Sequence, residues 1–186
     1  MASVTESERE TVALLRRREP QGFERCYALY RDAVFGFLVR LSGRRSVAED
    51  LFQETWLRVA RRAAELRPDS DLRAWLFTIA RNAFRSYLRA QRAELGEAEL
   101  EAIEGPADTA RGVELSELER ALLCLSLEER ELLLLVAEGI AQDELARAWG
   151  LAAPALRQRV TRARARLAEV LDAEPVSASR KRSNHG

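Results

Sequence analysis

An arginine-rich stretch near the carboxyl end of the chain has the chemistry of a nucleic-acid contact. Residues 157–166 contain five arginines and no acidic side chain. At helical spacing, Gln158 and Thr161 face away from the apolar side of this stretch. Guanidinium groups bind phosphates and guanine edges, and an amide can bind adenine. The alternative is a solvated basic face on an ordinary helix. The candidate DNA contacts are Arg157, Gln158, Arg159, Thr161 and Arg162.

A second stretch, residues 72–92, interleaves aromatic and basic side chains. Phe77, Arg81, Phe84 and Leu88 fall on one side of the predicted helix, with Arg85 nearby. Aromatic rings stack on bases and arginines neutralise phosphates, so this pattern fits single-stranded nucleic acid. A helix buried on two faces would instead place the phenylalanines in a core. The pattern alone leaves both interpretations open.

A third stretch, residues 48–62, is an amphipathic helix with a leucine on its polar side. Asp50, Gln53, Glu54 and Leu57 lie at i, i+3, i+4 and i+7 and form one stripe, displaced from the core side. A leucine among carboxylates and an amide suits a partner helix that offers arginine and an apolar contact. Scattered surface hydrophobicity is the alternative, because single exposed leucines are common.

The sequence offers no set of residues for catalysis or metal binding. The only histidine, His185, lies in a polar tail, and no nucleophile–base set or metal-ligand spacing occurs. We therefore predict no enzymatic activity, no catalytic or metal-binding residues, no cofactor and no small-molecule substrate. Cys26 and Cys124 are predicted to be reduced, buried thiols of a cytoplasmic protein. Long apolar runs are absent, so no membrane insertion is expected.

Apolar residues recur at intervals of three and four through the first half of the chain, which predicts helices. Ser42-Gly43 ends the first helix and Arg67-Pro68 ends the second. Asp69-Ser70-Asp71 offers amino-terminal caps for the third. The predicted ranges are about 22–41, 47–66 and 72–92.

The second half begins with a capping-box pattern, Ser126 with Glu129 three residues on. Gly139 and Gly150 end the two helices that follow, and a longer basic helix comes last. A short helix, a glycine turn and a longer basic helix are the layout of a helix-turn-helix. The predicted ranges are about 127–138, 142–149 and 154–171.

Charge is distributed unevenly although the chain is neutral overall. Residues 1–92 carry 18 basic and 12 acidic side chains, whereas residues 93–119 carry one basic and nine acidic ones. We predict an all-α fold of two small helical domains joined by a flexible acidic linker. The predicted segments are a first domain at 1–92, a linker at 93–117 with a short helical turn at 97–103, a second domain at 118–172 and a disordered tail at 173–186.

Taken together, three motifs resemble the bacterial RNA polymerase sigma factors of the extracytoplasmic-function (ECF) class. AEDLFQETWLRVARR (48–62) is similar to the family's acidic and aromatic helix motif. LRAWLFTIARNAFRSYLRAQR (72–92) is similar to its Trp-Leu…Ile-Ala-x-Asn motif. The run from LSLEER to RARARL (125–167) is similar to its carboxyl-terminal helix-turn-helix. The order and spacing of all three make the resemblance specific.

The resemblance implies partners and roles. Region two, residues 1–92, would bind core RNA polymerase through the beta-prime clamp helices, using Asp50, Gln53, Glu54 and Leu57. The minus-ten promoter element would contact Arg67, Asp69, Ser70, Asp71, Arg81, Asn82, Arg85, Ser86 and Arg89. Region four would contact the beta flap and read the minus-thirty-five element through Arg157, Gln158, Arg159, Thr161 and Arg162. Such proteins direct promoter recognition, melting and transcription initiation, and an anti-sigma factor commonly holds them inactive.

A different function remains compatible with the residues themselves. A stand-alone helix-turn-helix transcription regulator could use its first domain for ligand sensing or dimerisation. It would need neither a polymerase-facing stripe nor a surface for melted DNA.

Overall fold

The computed structural model describes residues 6–95 and 116–173, and the elements found there are helices. In chain order they are α1 (Glu6–Arg16), α2 (Pro20–Ser42), α3 (Arg45–Arg62), a 3-10 turn (Ala63–Glu65), α4 (Leu72–Leu95), α5 (Glu117–Leu123), α6 (Leu127–Ala137), α7 (Gln142–Ala148) and α8 (Ala153–Ala173). The all-α prediction is confirmed. Within these two ranges, no helix is long and apolar enough to cross a membrane.

Helices α2, α3 and α4 form the core of the first block, because each carries an apolar stripe that packs on the other two. Phe37 of α2 meets Phe77 of α4 edge to face, with ring centroids 5.2 Å apart. Phe77 and Phe84 are both buried, so the core interpretation of these side chains is correct and base stacking by them is excluded in this structure. Of the aromatic and basic stripe on α4, only the arginines can therefore make polar contacts at the surface.

Helix α1 was not among the predicted elements. It buries only Thr11, Val12 and Leu15, so its apolar stripe is too short to stand out among charged neighbours. It crosses α2 at Gly22, where a Cβ atom would lie 2.5 Å from the backbone nitrogen of Leu15. Cys26 is buried next to this crossing, as predicted, but Cys124 is exposed, and the prediction of a second buried thiol is wrong. Cys124 lies at the end of the short helix α5, where the chain turns on the surface.

The second block is a set of short helices packed against α8. Ser126 and Glu129 form the predicted capping box at the start of α6. Between α7 and α8 the chain turns at Gly150, whose φ of 64° favours glycine. Leu156, Val160 and Ala163 bury one face of α8. This is the predicted helix-turn-helix layout.

The two blocks are in contact. Arg130 of α6 donates from Nη1 to the carbonyl oxygen of Leu41, in the last turn of α2. Beside it, Gly43 closes α2 with a φ of 67°, and a Cβ there would lie 2.7 Å from the side chain of Leu123. Two blocks joined only by a linker were predicted; the structure adds an interface between them.

Several predicted features lie outside the described residues. These are the helical turn at 97–103, most of the linker at 93–117 and nearly all of the tail at 173–186. At the described edges, α4 continues to Leu95 and α8 to Ala173, a few residues beyond the predicted helix ends.

Candidate nucleic-acid and partner interfaces

The polar stripe of α3 is on the surface and keeps its leucine exposed. Asp50 and Gln53 are exposed, Glu54 is half-buried, and Leu57 retains 52% of its accessible surface. Glu54 accepts a hydrogen bond of 2.7 Å from Nε of Arg58, which fixes its carboxylate within the stripe. The structure therefore brings all four predicted residues together on one face, opposite the side that packs on α2 and α4.

The loop before α4 is built by its own polar side chains. Ser70 accepts a hydrogen bond from the Arg67 amide at 3.0 Å, and Asp71 accepts one from the Ala74 amide at 2.9 Å. Asp71 thus caps α4, as predicted. Arg67 and Asp69 are exposed and available to a ligand. Ser70 and Asp71 shape the loop in this state.

The middle of α4 presents Asn82, Ser86 and Arg89 side by side. Ser86 donates its hydroxyl to the Asn82 carbonyl at 2.8 Å and accepts from Nη2 of Arg89 at 2.9 Å. Arg89 is exposed, while Asn82 and Ser86 are half-buried. These three residues form a continuous polar strip on the helix.

Arg81 and Arg85 belong to the same helix but point at the second block. Both donate hydrogen bonds to the carboxylate of Glu131 on α6. The Arg81 guanidinium also lies over the Trp149 ring, 4.7 Å from its centroid. The hydrogen bond from Arg85 to Glu131 raises the pKa of Arg85. In this structure both arginines contact the second block; the Arg81 side chain is 13% exposed and that of Arg85 is 38% exposed.

The recognition side of α8 is open to solvent. Gln158, Thr161 and Arg162 are exposed, and Thr161 donates its hydroxyl to the Arg157 carbonyl at 3.0 Å. Two of the arginines have acidic neighbours within the same block. Arg157 lies 3.6 Å from Asp143 of α7, and Arg159 pairs with Glu128 of α6.

Comparison with known proteins assigns the chain to a family. Residues 26–94 match the model of sigma-70 region 2. The chain is 37% identical over 139 residues to the ECF RNA polymerase sigma factor EcfG of Rhodopseudomonas palustris, covering 73% of this chain and 77% of that protein. It is 35% identical over 154 residues to the RNA polymerase sigma factor CarQ of Myxococcus xanthus, covering 80% and 88%. The chain belongs to the ECF sigma factors.

Solved structures of ECF sigma factors have the same fold. The sigma factor RpoE of Bartonella quintana, crystallised with the anti-sigma factor NepR, superposes with a TM-score of 0.67 at 32% identity, over 82% of this chain and 98% of that one. CnrH in complex with the cytosolic domain of CnrY gives 0.68 at 27%, over 91% and 99%. The protein is therefore an alternative sigma factor of RNA polymerase. Sigma factors are transcription initiation factors, and the stand-alone regulator is set aside.

Sequence reasoning missed four residues of this sigma factor that define the contact between its blocks. They are Arg130, Glu131, Glu138 and Trp149. Glu131 precedes four consecutive leucines, so it reads as the polar end of an apolar run. The sequence signal for them was the presence of charged residues in α6, a helix with few exposed positions, which indicates that some of these charges are buried. That signal does not identify the partners, which are distant in sequence.

The described residues contain no cluster of three or more histidine, cysteine or acidic side chains that could hold a metal ion.

Proposed function

We propose that this ECF sigma factor binds core RNA polymerase through the stripe formed by Asp50, Gln53, Glu54 and Leu57. The observation that supports this most strongly is the exposure of Leu57 between acidic and amide side chains. An apolar anchor ringed by polar groups is the usual composition of a protein interface. By family resemblance, its partner would be the beta-prime clamp helices, and region four would contact the beta flap.

The same proposal assigns promoter DNA to two surfaces. The minus-ten element would bind the loop with Arg67 and Asp69 and the strip of α4 that includes Asn82 and Arg89. Ser70, Asp71 and Ser86 would shape this surface, and Arg81 and Arg85, which contact Glu131 in this structure, would add positive charge to it. The minus-thirty-five element would bind α8 through Arg157, Gln158, Arg159, Thr161 and Arg162, since the amino-terminal part of a recognition helix meets base edges.

The protein would have no catalytic activity of its own, because the polymerase supplies the chemistry. An anti-sigma factor is a further proposed partner, since the Bartonella relative was crystallised with one. The surface of this anti-sigma factor would complement the α3 stripe and the proposed DNA-binding surfaces in charge and in apolar contacts.

The test is complex formation with core RNA polymerase, followed by run-off transcription on fragmented genomic DNA with sequencing of the transcripts. Leu57→Glu adds a charge to a stripe that already holds Asp50 and Glu54 and removes the apolar anchor. Burial of a leucine contributes about 1.5–3 kcal/mol, so we expect a loss of affinity of roughly tenfold to a hundredfold. Asp50→Arg reverses a charge in the same stripe and should act in the same direction.

Leu29→Glu is the matched control. Leu29 is exposed to 57%, close to the value for Leu57, but lies on α2 away from the stripe. This variant should bind polymerase and initiate transcripts like the original chain. Unchanged polymerase binding by both folded stripe variants, Leu57→Glu and Asp50→Arg, contradicts the proposed docking face. Equal losses in Leu29→Glu show that the stripe has no special role.

A further inference from the structure

One candidate DNA contact on α8 is held by a side chain from another helix. Nη1 of Arg159 donates a hydrogen bond to the carboxylate of Glu128, which lies in the first turn of α6. Of the five residues proposed to read the minus-thirty-five element, Arg159 is half-buried and the other four are exposed. Its guanidinium group therefore has less conformational freedom than that of an exposed, unpaired arginine.

The carboxylate of Glu128 belongs to a helix whose position relative to α8 is fixed, because α6 packs directly on α8. Leu132 of α6 and Leu156 and Val160 of α8 are buried in the common core. The neighbouring acid, Glu129, is used differently, since its carboxylate accepts the bonds of the capping box at the start of α6. Glu128 is thus the acid of this turn that contacts the recognition helix.

The bond to Glu128 uses one end of the guanidinium group and leaves one edge of it open. Among the described residues, Nε and Nη2 of Arg159 have no hydrogen-bond partner, and 39% of the side chain is exposed. Nε and Nη2 are donors on the same edge of a rigid, planar group. A pair of such donors is what bidentate binding to O6 and N7 of guanine requires.

An arginine that is not oriented in this way can donate to phosphates instead, and phosphate contacts carry no sequence information. Arg162 lines the same groove between α6 and α8 and is exposed. It has no acidic partner in the part of the chain that the structure describes, so it suits a phosphate. Of the two guanidinium groups in this groove, only that of Arg159 is held in one orientation before DNA binds, which lowers the entropic cost of a directed contact.

The Glu128–Arg159 pair contributes little to the stability of the fold. Both side chains are partly exposed, and ion pairs of this kind add little to the free energy of unfolding. Arg157 and Asp143 form a looser pair, 3.6 Å apart and more exposed on both sides, so Asp143 constrains its arginine less. Removing the Glu128 carboxylate should therefore leave the second block folded and change only how Arg159 is presented.

We propose that Glu128 is a positioning residue for promoter recognition, which holds Nη1 of Arg159 so that Nε and Nη2 meet one guanine in the major groove of the minus-thirty-five element. Glu128 itself does not touch DNA. This inference rests on the proposed role of Arg159 in minus-thirty-five binding and adds to it the base that Arg159 reads and the side chain that orients it.

The test uses the full chain in complex with core RNA polymerase. Run-off transcription on fragmented genomic DNA at fixed salt gives the ratio of transcripts from fragments that the original chain prefers to transcripts from all others. Arg159→Ala should lower this ratio roughly 5- to 100-fold, as expected for one bidentate base contact. Glu128→Gln should lower it roughly two- to tenfold, because the arginine stays and only its orientation is lost. Both variants should relax the preference for guanine at the same position.

Glu129→Gln is the matched control, since it removes the same charge from the same turn and glutamine can still complete the capping box. It should leave the ratio unchanged. In an Arg159→Ala background, Glu128→Gln should have no further effect, because no guanidinium group is left to orient. Glu128→Ala removes the acceptor altogether, should act in the same direction as Glu128→Gln, and decides alone if circular dichroism shows that Glu128→Gln does not fold.

The outcomes separate this inference from the function on which it rests. An unchanged ratio in Arg159→Ala overturns the proposed role of Arg159 and the inference with it. A loss in Arg159→Ala without a loss in the folded Glu128 variants overturns the inference alone. Equal losses in Glu128→Gln and Glu129→Gln also overturn it, because they report charge near DNA only, and so do additive losses in the double variant.

Discussion

Replacing Arg130 by methionine should weaken the fold more than any exposed arginine substitution. The Arg130 side chain is buried, and its guanidinium donates to the carbonyl oxygens of Leu122, Leu123 and Leu125 around the turn from α5 to α6. A fourth bond reaches Leu41 in the first block. Methionine has a similar length and no donor, so these carbonyls lose their charged partner without a large cavity forming.

The magnitude follows from two opposing contributions. A hydrogen bond to a charged group contributes about 1.5–3 kcal/mol, but burying the charge itself costs several kcal/mol. The Leu122 carbonyl also accepts from the Leu125 amide, so it keeps a partner in the variant. We therefore expect a net loss of about 3 kcal/mol in the free energy of unfolding.

Urea unfolding followed by circular dichroism measures this loss. With a slope of about 2 kcal/mol per molar urea, the midpoint should fall by roughly 1.5 M. Arg164→Met is the control, since Arg164 is exposed on α8 and such changes usually stay within about 0.5 kcal/mol. A midpoint for Arg130→Met within the error of the control would refute the reasoning, because it would mean that the four bonds add nothing beyond the cost of burial.

Two further predictions concern DNA reading and thiol chemistry. Gln158→Ala should lower run-off transcription from preferred fragments by roughly 5- to 100-fold, because one bidentate base contact contributes about 1–3 kcal/mol. Glu169→Gln, at the far end of α8, is the control and should leave transcription unchanged. An unchanged fragment preference in Gln158→Ala contradicts base reading by this residue. Burial raises the pKa of Cys26 to about 12, so at pH 8 only roughly one molecule in ten thousand carries that thiolate. Iodoacetamide followed by mass spectrometry should therefore label the exposed Cys124 first and Cys26 only in denaturant. Fast labelling of Cys26 in the native chain would contradict its burial.

Local patterns were sufficient to predict most of the helices. Each of α2, α3 and α4 has an apolar stripe at intervals of three and four, and α2 ends at its predicted signal, Gly43. The predicted end of α3 at Pro68 is wrong, because the helix ends at Arg62 and a 3-10 turn follows it. The capping box at Ser126 and the glycine turn at Gly150 were predicted for the same reason. Helix α1 was missed because its apolar stripe is short, with three buried residues in a segment of eleven that is mostly polar or charged.

The polar sites also fall into those that local sequence patterns predict and those that they do not. The α3 stripe and the open face of α8 lie on single helices, so spacing alone places their residues together. The contact of Glu131 with Arg81 and Arg85 joins positions 50 and 46 residues apart, and no local pattern encodes such a pair. Phe77 and Arg81 shared one predicted stripe, and only packing showed that the ring enters the core while the guanidinium meets α6.

Two adjacent residues of α6 connect the second block to the first by different means. Arg130 places a cation near the carboxyl-terminal end of α2, where the helix dipole favours positive charge, and also holds the turn between α5 and α6. Glu131 places an anion among the arginines of α4 and has no such contact within its own block in the described bonds. Loss of Arg130 should therefore lower stability and loosen the interface together. Loss of the Glu131 charge should loosen the interface while the fold of the second block persists, so the pair of variants separates folding of the second block from its contact with α4.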